Sequence, residues 1–268
     1  MTTLASQNRL PPGHALFARY AFPPNELGYC GPADSEVLLR GDNPAEVARY
    51  AREFDGTWPY LRAIAEAADI ADPLDAAVVR SYWIGGPMLA RPDPAALLER
   101  LRRAFAGQVT GLLGDVDRPA DALAHHCFHV FAVYPWVRFL DRDPDTALNV
   151  LQSCRIRWGT VESVSNEHVV MLARPLSFDG GVLVLGRPTT ERVRWRRNQM
   201  SLIDQPLPGD TVAAHWGWIC DELTDIDTSA LSAVTETTLE VVNSYRSKHH
   251  GRIWSTLATR GFTHDDIR

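Results

Sequence analysis

The spacing of hydrophobic positions changes once along the chain. In the first half, apolar residues recur every three or four positions, which predicts amphipathic helices. Several of these segments follow an asparagine or aspartate and then a proline, a pair that supplies a side-chain cap and a residue suited to the first helical turn. These pairs are Asn43-Pro44, Asp72-Pro73, Asp93-Pro94 and Asp143-Pro144. We therefore expect a helix to begin at each of them.

Other segments of the first half carry weaker signals. A short helix is predicted from His14, and Pro23-Pro24 is expected to stop it because proline removes backbone donors. Residues 27–32 are predicted to form a turn-rich loop. A longer helix is predicted over residues 120–140, with a kink or break at Pro135.

The second half alternates between apolar and polar residues and contains turn glycines, which predicts strands. Candidate strands cover residues 156–164, 168–173, 181–185, 191–197 and 211–219. Short antiparallel strands in this number favour a small closed barrel of the OB-like kind, which leaves no open edge. An apolar stripe from Leu231 to Tyr245 predicts a C-terminal helix. The expected fold class is α+β, with a helical domain over residues 1–150 and a barrel with its helix over 151–268.

Composition and charge narrow the class of protein. The chain has 268 residues, of which 45% are hydrophobic, so it can bury the cores of two domains. A net charge of −6 argues against general nucleic-acid binding. No apolar run is long enough to cross a membrane, and residues 1–14 lack a hydrophobic signal core, so we expect a cytoplasmic protein. The cysteines form no CxxC pair and are expected to be free thiols.

Two motifs in the predicted barrel carry the candidate chemistry. The first consists of Cys154, Gly159 and Val161. The second consists of Gly209, Asp210, Val212, His215 and Gly217. In this order, within a small barrel that is followed by a helix, the two motifs resemble the HypC/HupF family of [NiFe]-hydrogenase maturation chaperones. The resemblance covers roughly a hundred residues at the C-terminal end of the chain.

This resemblance implies an accessory chaperone rather than an enzyme. The Cys154 thiolate would hold an iron fragment bearing cyanide and carbon monoxide, because such iron prefers a soft donor. His215 would orient or hydrogen-bond the bound group. Arg155 and Arg157 flank the cysteine and are expected to lower its pKa if their charges point toward it. The residues that would support the motifs are Gly159, Gly209, Asp210 and Gly217. The implied partners are the hydrogenase large-subunit precursor, a HypD-like scaffold, or both, with no membrane and no nucleic acid.

The chain also departs from the family pattern. Cys154 is internal, whereas the family cysteine follows the initiator methionine, so no free α-amine assists binding here. Trp158 stands where a proline usually precedes the glycine, and the stretch between the motifs is longer. Residues 1–150 have no counterpart in the family, although the stretch 14–32 resembles actinobacterial proteins encoded beside hydrogenase genes.

A metal-dependent enzyme is the first alternative. His125 and His129 lie four residues apart on the predicted long helix, so they would share a face and could grip a metal together. Cys30, Cys127 or His14 would supply a further ligand, and either cysteine is a candidate second sulfur for a shared iron. Packing of these side chains in the core is the competing interpretation.

A docking module is the second alternative. A basic ribbon in the predicted barrel contains Arg187, Arg192, Arg194, Trp195, Arg196 and Arg197. OB-type barrels bind single-stranded nucleic acids through such patches, and an acidic protein partner would fit equally well. The alternation of the arginines is also typical of a solvated strand face.

Overall fold

The computed structural model describes residues 10–249 and confirms the α+β fold class. The α-helices of this part of the chain are α1 (Pro12–Glu26), α2 (Glu36–Arg40), α3 (Pro44–Arg52), α4 (Trp58–Ala67), α5 (Ala76–Trp83), α6 (Pro94–Ala104), α7 (His126–Phe128), α8 (Pro144–Cys154) and α9 (Asp225–His249). The predicted absence of a signal core rests largely on residues 1–9, which lie outside the described residues. Within residues 10–249, no helix is both long and apolar enough to span a bilayer.

Three of the four predicted helix starts are confirmed by their caps. The side chains of Asn43, Asp93 and Asp143 accept hydrogen bonds from backbone amides in the first turns of α3, α6 and α8. The prediction at Asp72 is wrong, because its carboxylate closes a turn onto the Leu74 amide. Helix α5 begins after Asp75, whose side chain accepts from the Ala77 amide.

Helix α1 does not stop at Pro23-Pro24, as the sequence predicted, but continues to Glu26. A proline keeps a helical φ, but it lacks the N–H that would bond four residues back and its ring crowds that carbonyl. Pro23 and Pro24 lie in the last turn of α1, and the Arg19 and Tyr20 carbonyls therefore lose their usual intrahelical partners.

The predicted long helix over residues 120–140 is also wrong, whereas the predicted break at Pro135 is confirmed by the extended backbone of Tyr134. This stretch contains 3₁₀ turns at Pro119–Asp121 and Pro135–Phe139, the short α7, and a π-helical turn at His129–Val133. Prolines at the start of both 3₁₀ turns interrupt the regular hydrogen-bond pattern. π-Helical turns are rare and recur at functional sites, so the histidines of this stretch are candidate functional residues.

The second half forms a closed barrel, and its likeness to OB-type barrels stays a prediction. The barrel strands are β1 (Arg157–Val164), β2 (His168–Ala173), β5 (Thr189–Arg194), β8 (Thr211–His215) and β9 (Trp218–Glu222). They close in the order β1-β2-β5-β9-β8, with antiparallel neighbours except for a short parallel pairing of β5 with β9. Small hairpins join β3 (Leu176–Asp179) to β4 (Val182–Leu185) and β6 (Arg196–Arg197) to β7 (Met200–Ser201).

The motif residues explain two local features of the barrel. A side chain at Gly159 would meet the Leu172 carbonyl of β2 at 2.4 Å, so only glycine lets these strands approach. The turn before β8 uses Gly209 at φ +99 and an Asp210 carboxylate that accepts from the Leu207 amide. These three motif residues therefore have a structural role that does not depend on any ligand.

The predicted strand 211–219 is two strands joined by a tight turn. Trp216 adopts a left-handed φ of +48, which ends β8 at His215 and sends β9 back along it. This turn places His215 at the end of a barrel strand, facing the helical half of the molecule.

The helical half packs directly on the barrel. One apolar core runs through both, and a second fills the barrel interior around Met171 and Val193. Glu26 at the end of α1 accepts from the Trp218 indole and pairs with Arg197. Asp221 of β9 pairs with Arg19 of α1 at 3.1 Å. A domain boundary near residue 150 stays a prediction.

Candidate metal centre

Three buried side chains from distant parts of the chain meet where the helical half covers the barrel. The ligand atoms of His126, Cys154 and His215 all lie within 4.8 Å of one another. His126 begins α7, Cys154 ends α8 and His215 ends β8. The predicted meeting of the Cys154 thiol with the His215 imidazole is therefore present, with a third donor that the sequence did not single out.

His215 is held in the protonation state that suits a metal ligand. Its Nδ1 lies 2.7 Å from the Tyr20 carbonyl oxygen and must donate to it. This carbonyl is the one that Pro24 leaves without an intrahelical donor, since Pro24 has no N–H to offer four residues back. The other ring nitrogen, Nε2, therefore carries the lone pair. It is fully buried and makes no hydrogen bond.

His126 is placed by its neighbour in sequence. The imidazole of His125 accepts from the Cys127 amide and so caps the short α7, at whose first position His126 stands. Nε2 of His126 donates to the Cys154 carbonyl at 2.9 Å, and the Tyr82 hydroxyl lies 3.2 Å from its Nδ1. Coordination of a metal by His126 would replace one of these two hydrogen bonds.

Cys154 occupies the last turn of α8, where arginine side chains fix the backbone. Arg157 donates to the Ser153 carbonyl at 3.0 Å and to the Trp216 carbonyl at 2.6 Å, and it pairs with Glu191 of β5. It thereby joins the end of α8 to the turn that follows His215. The guanidinium groups of Arg157 and Arg155 thus bind carbonyls and the side chains of neighbouring residues.

The expected lowering of the Cys154 pKa is not found. Burial raises the pKa of the Cys154 thiol well above its usual value, the nearby Cys30 raises it further, and Arg157 offsets only a small part. The C-terminal end of a helix also disfavours an anion. In the absence of a metal, Cys154 is therefore a neutral thiol, and a metal must displace its proton to bind.

Burial keeps both imidazoles neutral. Desolvation lowers the pKa of His126 to about 4, and desolvation together with the adjacent His126 ring lowers the pKa of His215 well below 6.5. Neutral imidazole is the form that binds metals. The Trp83 ring lies against both, with its centroid 4.5 Å from that of His126 and 5.6 Å from that of His215. The group is thus a buried, uncharged set of one sulfur and two nitrogen donors.

The group faces a small inner chamber with a larger outer chamber beside it. The inner chamber has about 20 Å³ of free volume, which is room for about one water molecule. The outer chamber has about 500 Å³ and is partly open to solvent. Four residues line both chambers and form the partition between them: Cys30, Gly56, His129 and Tyr134.

The other candidate ligands divide into two sets. Cys30 and His129 lie in the partition, next to the three-residue group. His125 and Cys127 face away, since His125 caps α7 and the Cys127 sulfur lies 3.4 Å from the Thr235 hydroxyl. His14 lies in the first turn of α1 and lines neither chamber. The predicted pairing of His125 with His129 on one helix face is wrong, because α7 begins only at His126 and ends before His129.

The sequence did not indicate His126 as a ligand, because helical spacing pairs His125 with His129. The run from His125 to His129 gave the signal that histidines concentrate here, but it did not show which ring faces a cavity. That choice depends on the cap and on the π-helical turn, neither of which periodicity predicts.

Most arginines of the basic ribbon contact other residues of the chain. Arg197 pairs with Glu26, Arg192 bonds to the His168 ring, and Arg196 contacts Asn166 and lies over the Trp195 ring. These contacts give most of the ribbon a structural role. Docking of an external partner there stays a prediction.

Comparison with known proteins assigns a family. Residues 9–249 match DUF6390, a family of unknown function, and the chain belongs to that family. No curated protein and no solved structure matches the chain.

Proposed function

We propose that this DUF6390 protein holds a transition-metal fragment at the inner chamber and acts as an accessory chaperone in [NiFe]-hydrogenase maturation. The observation that carries the proposal is the group of His126, Cys154 and His215, in which a fully buried Nε2 of His215 has no partner. A buried polar atom without a hydrogen bond costs free energy unless a ligand uses it.

The donor set selects the class of metal. One thiolate and two imidazoles suit borderline and soft ions such as zinc, copper and iron in a strong-field environment, and they do not suit calcium or magnesium. Low-spin iron with cyanide and carbon monoxide is one such cargo, because it prefers a soft sulfur donor. The order of the two motifs around Cys154 and His215 favours this cargo over the others.

The chamber sizes restrict how such a cargo would fit. The inner chamber has room for the metal itself but not for diatomic ligands as well, at about 20 Å³ of free volume. An iron that carries such ligands needs space from the outer chamber, across the partition at Cys30 and His129. A bare ion needs no such space, so the two cargoes make different demands on the partition.

The helical half would then serve as the cover of the site. It contributes His126, the Tyr20 carbonyl that holds His215, and the Trp83 ring that lies over both imidazoles. Exclusion of water and oxygen protects a reactive metal carbonyl. The partners we propose are the hydrogenase large-subunit precursor, a HypD-like scaffold, or both, and the compartment is the cytoplasm.

Metal binding by the purified full chain tests the first half of the proposal. We expect untagged protein to bind one equivalent of Co²⁺ or Fe²⁺ under anaerobic conditions, and Cys154→Ala to weaken binding by about a hundredfold because it removes the only soft donor of the group. Cys127→Ala, which removes a buried sulfur that faces Thr235, is the matched control and should bind normally. Equal affinities for the two variants would refute the site.

Hydrogenase assembly in cells tests the second half. Cells that lack this chain are complemented with the wild type, Cys154→Ala or Cys127→Ala, and hydrogenase activity and large-subunit processing are measured. We expect Cys127→Ala to restore both and Cys154→Ala to restore neither, at equal protein levels. Full assembly with Cys154→Ala would overturn the assigned role.

A further inference from the structure

The loop that follows α1 holds Cys30 at a fixed place beside the metal site. The Asn25 side chain donates to the Cys30 and Pro32 carbonyls, at 2.7 Å each. On the other side, the Tyr29 ring stacks on Trp216, with centroids 4.2 Å apart. Because Trp216 directly follows His215, this loop is fixed to the same turn that ends β8.

The position of Cys30 distinguishes it from the other sulfurs outside the three-residue group. Cys30 lines the inner chamber together with Cys154, whereas Cys127 and Cys220 do not. It also lines the outer chamber, so its thiol lies between the metal site and solvent. Its sulfur lies outside the 4.8 Å group, so it must move inward to touch an ion held there.

A metal at this site would need a further donor to complete its coordination. The group supplies three ligand atoms, and a borderline ion such as Zn²⁺ or Co²⁺ prefers four in a tetrahedral arrangement. The buried Nε2 of His215 has no hydrogen-bond partner, and His215 lines the same chamber as Cys30, which favours a ligand in this space. A thiolate would also offset the positive charge of a divalent ion in a dry site.

We propose that Cys30 is the fourth metal ligand, and that its sulfur completes a Cys₂His₂ site on metal binding. The ligands would be Cys30, His126, Cys154 and His215. Binding of M²⁺ then displaces two protons, one from each thiol, and forms two metal–sulfur bonds with no change of oxidation state. This inference rests on the proposed metal site and names a ligand that the three-residue group lacks.

The position of Cys30 between the two chambers also determines the order in which the metal ligands would be exchanged. Of the two sulfurs at the inner chamber, Cys30 is the one that a competing thiol can reach from the outer chamber. An ion would therefore leave by exchanging Cys30 first and Cys154 last. An iron that carries diatomic ligands would occupy the same side, so Cys30 and those ligands compete for one position.

Cobalt spectroscopy counts the sulfur donors. In the Co²⁺ form of the full chain, we expect the thiolate-to-cobalt charge-transfer absorption of Cys30→Ser to be about half that of the wild type, because one of two sulfur donors is lost. Cys127→Ser is the matched control and should keep the full intensity. Full intensity in Cys30→Ser would overturn the inference while leaving the three-residue site intact.

Alkylation of the wild type gives an independent readout that needs no variant. Iodoacetamide modification of each cysteine is measured by mass spectrometry with and without Co²⁺. We expect bound Co²⁺ to slow modification of Cys30 by about tenfold or more, since a coordinated thiolate is a poor nucleophile. An unchanged rate at Cys30 with Co²⁺ bound would contradict the proposal. A wild type that binds no Co²⁺ would remove the proposed metal site as well.

Discussion

Two neighbouring sets of histidine and cysteine differ in whether they line the inner chamber. His125 and Cys127 are buried and bond to neighbouring protein atoms, a helix cap and a threonine hydroxyl. His126 and Cys154 are equally buried, yet they line a chamber together with His215. Burial and residue type therefore do not distinguish a binding group from a packing group. The two sets differ in whether their residues line the inner chamber.

Lowering the pH is expected to have the largest effect on the stability of the protein. Buried histidines of both sets should contribute to this effect. Burial lowers the pKa of His125 and His129 to about 3, that of His126 to about 4, and that of His215 well below 6.5. The unfolded chain, whose histidines titrate near 6.5, binds more protons than the folded chain below that pH. The free energy of unfolding of the metal-free protein should therefore fall as the pH drops from 7 to 5, by about 2 kcal/mol at pH 5 for each of His125, His126 and His129.

Urea unfolding at pH 7, 6 and 5 measures this slope. His168→Gln, which changes the histidine on β2 that bonds to Arg192, should leave the slope almost unchanged. A free energy of unfolding that stays constant from pH 7 to pH 5 would show that the buried histidines are not held neutral.

Metal should stabilise the protein only through the chamber set. At a metal concentration about a hundred times the dissociation constant, binding adds about 2.7 kcal/mol to the free energy of unfolding. We expect His215→Ala to lose this increment and Cys127→Ala to keep it, because the Cys127 sulfur contacts Thr235 and does not line the chamber. Thermal unfolding with and without Co²⁺ measures both. If Co²⁺ still stabilises His215→Ala by the same amount, the metal binds at another site.

The carbonyl that Pro24 leaves free gives a smaller and more specific test. Pro24→Ala restores an amide that competes with His215 for the Tyr20 carbonyl, so His215 loses the contact that orients it. We expect metal affinity to fall about tenfold, as is common when the partner of a metal-bound histidine is removed.

Pro23→Ala is the matched control, because it restores an amide to the Arg19 carbonyl, one residue away. Competition titration against a coloured chelator measures both affinities. Equal metal affinity in the two proline variants would mean that the Tyr20 contact does not position His215.

The smallest effect is expected at Cys220. Its sulfur lies in β9 and contacts the Trp218 carbonyl at 3.6 Å, so it belongs to the packing set. Cys220→Ala should cost about 1 kcal/mol in the free energy of unfolding and leave metal affinity unchanged. A loss of metal affinity comparable to that of Cys154→Ala would break the division between the two sets.

The fold could be predicted from local sequence where one residue controls a local geometry. The caps at Asn43, Asp93 and Asp143 and the alternation along β2 each act within a few residues, so the sequence indicates them directly. The predictions at Pro23-Pro24 and over residues 120–140 were wrong because local sequence does not control the geometry there. Tertiary contacts decide whether a proline ends a helix, and capping by His125 overrides the helical period.

By itself, the sequence determined the α+β class, the barrel after residue 156, and the choice of Cys154 and His215 as a candidate pair. Only the tertiary structure decided that His126 joins them, that Cys30 rather than Cys127 lies beside them, and that the Tyr20 carbonyl fixes the His215 tautomer. These contacts join residues as far as 195 positions apart, and no local period encodes them. Their geometry arises only when the helical half packs on the barrel and brings these side chains to the same chamber.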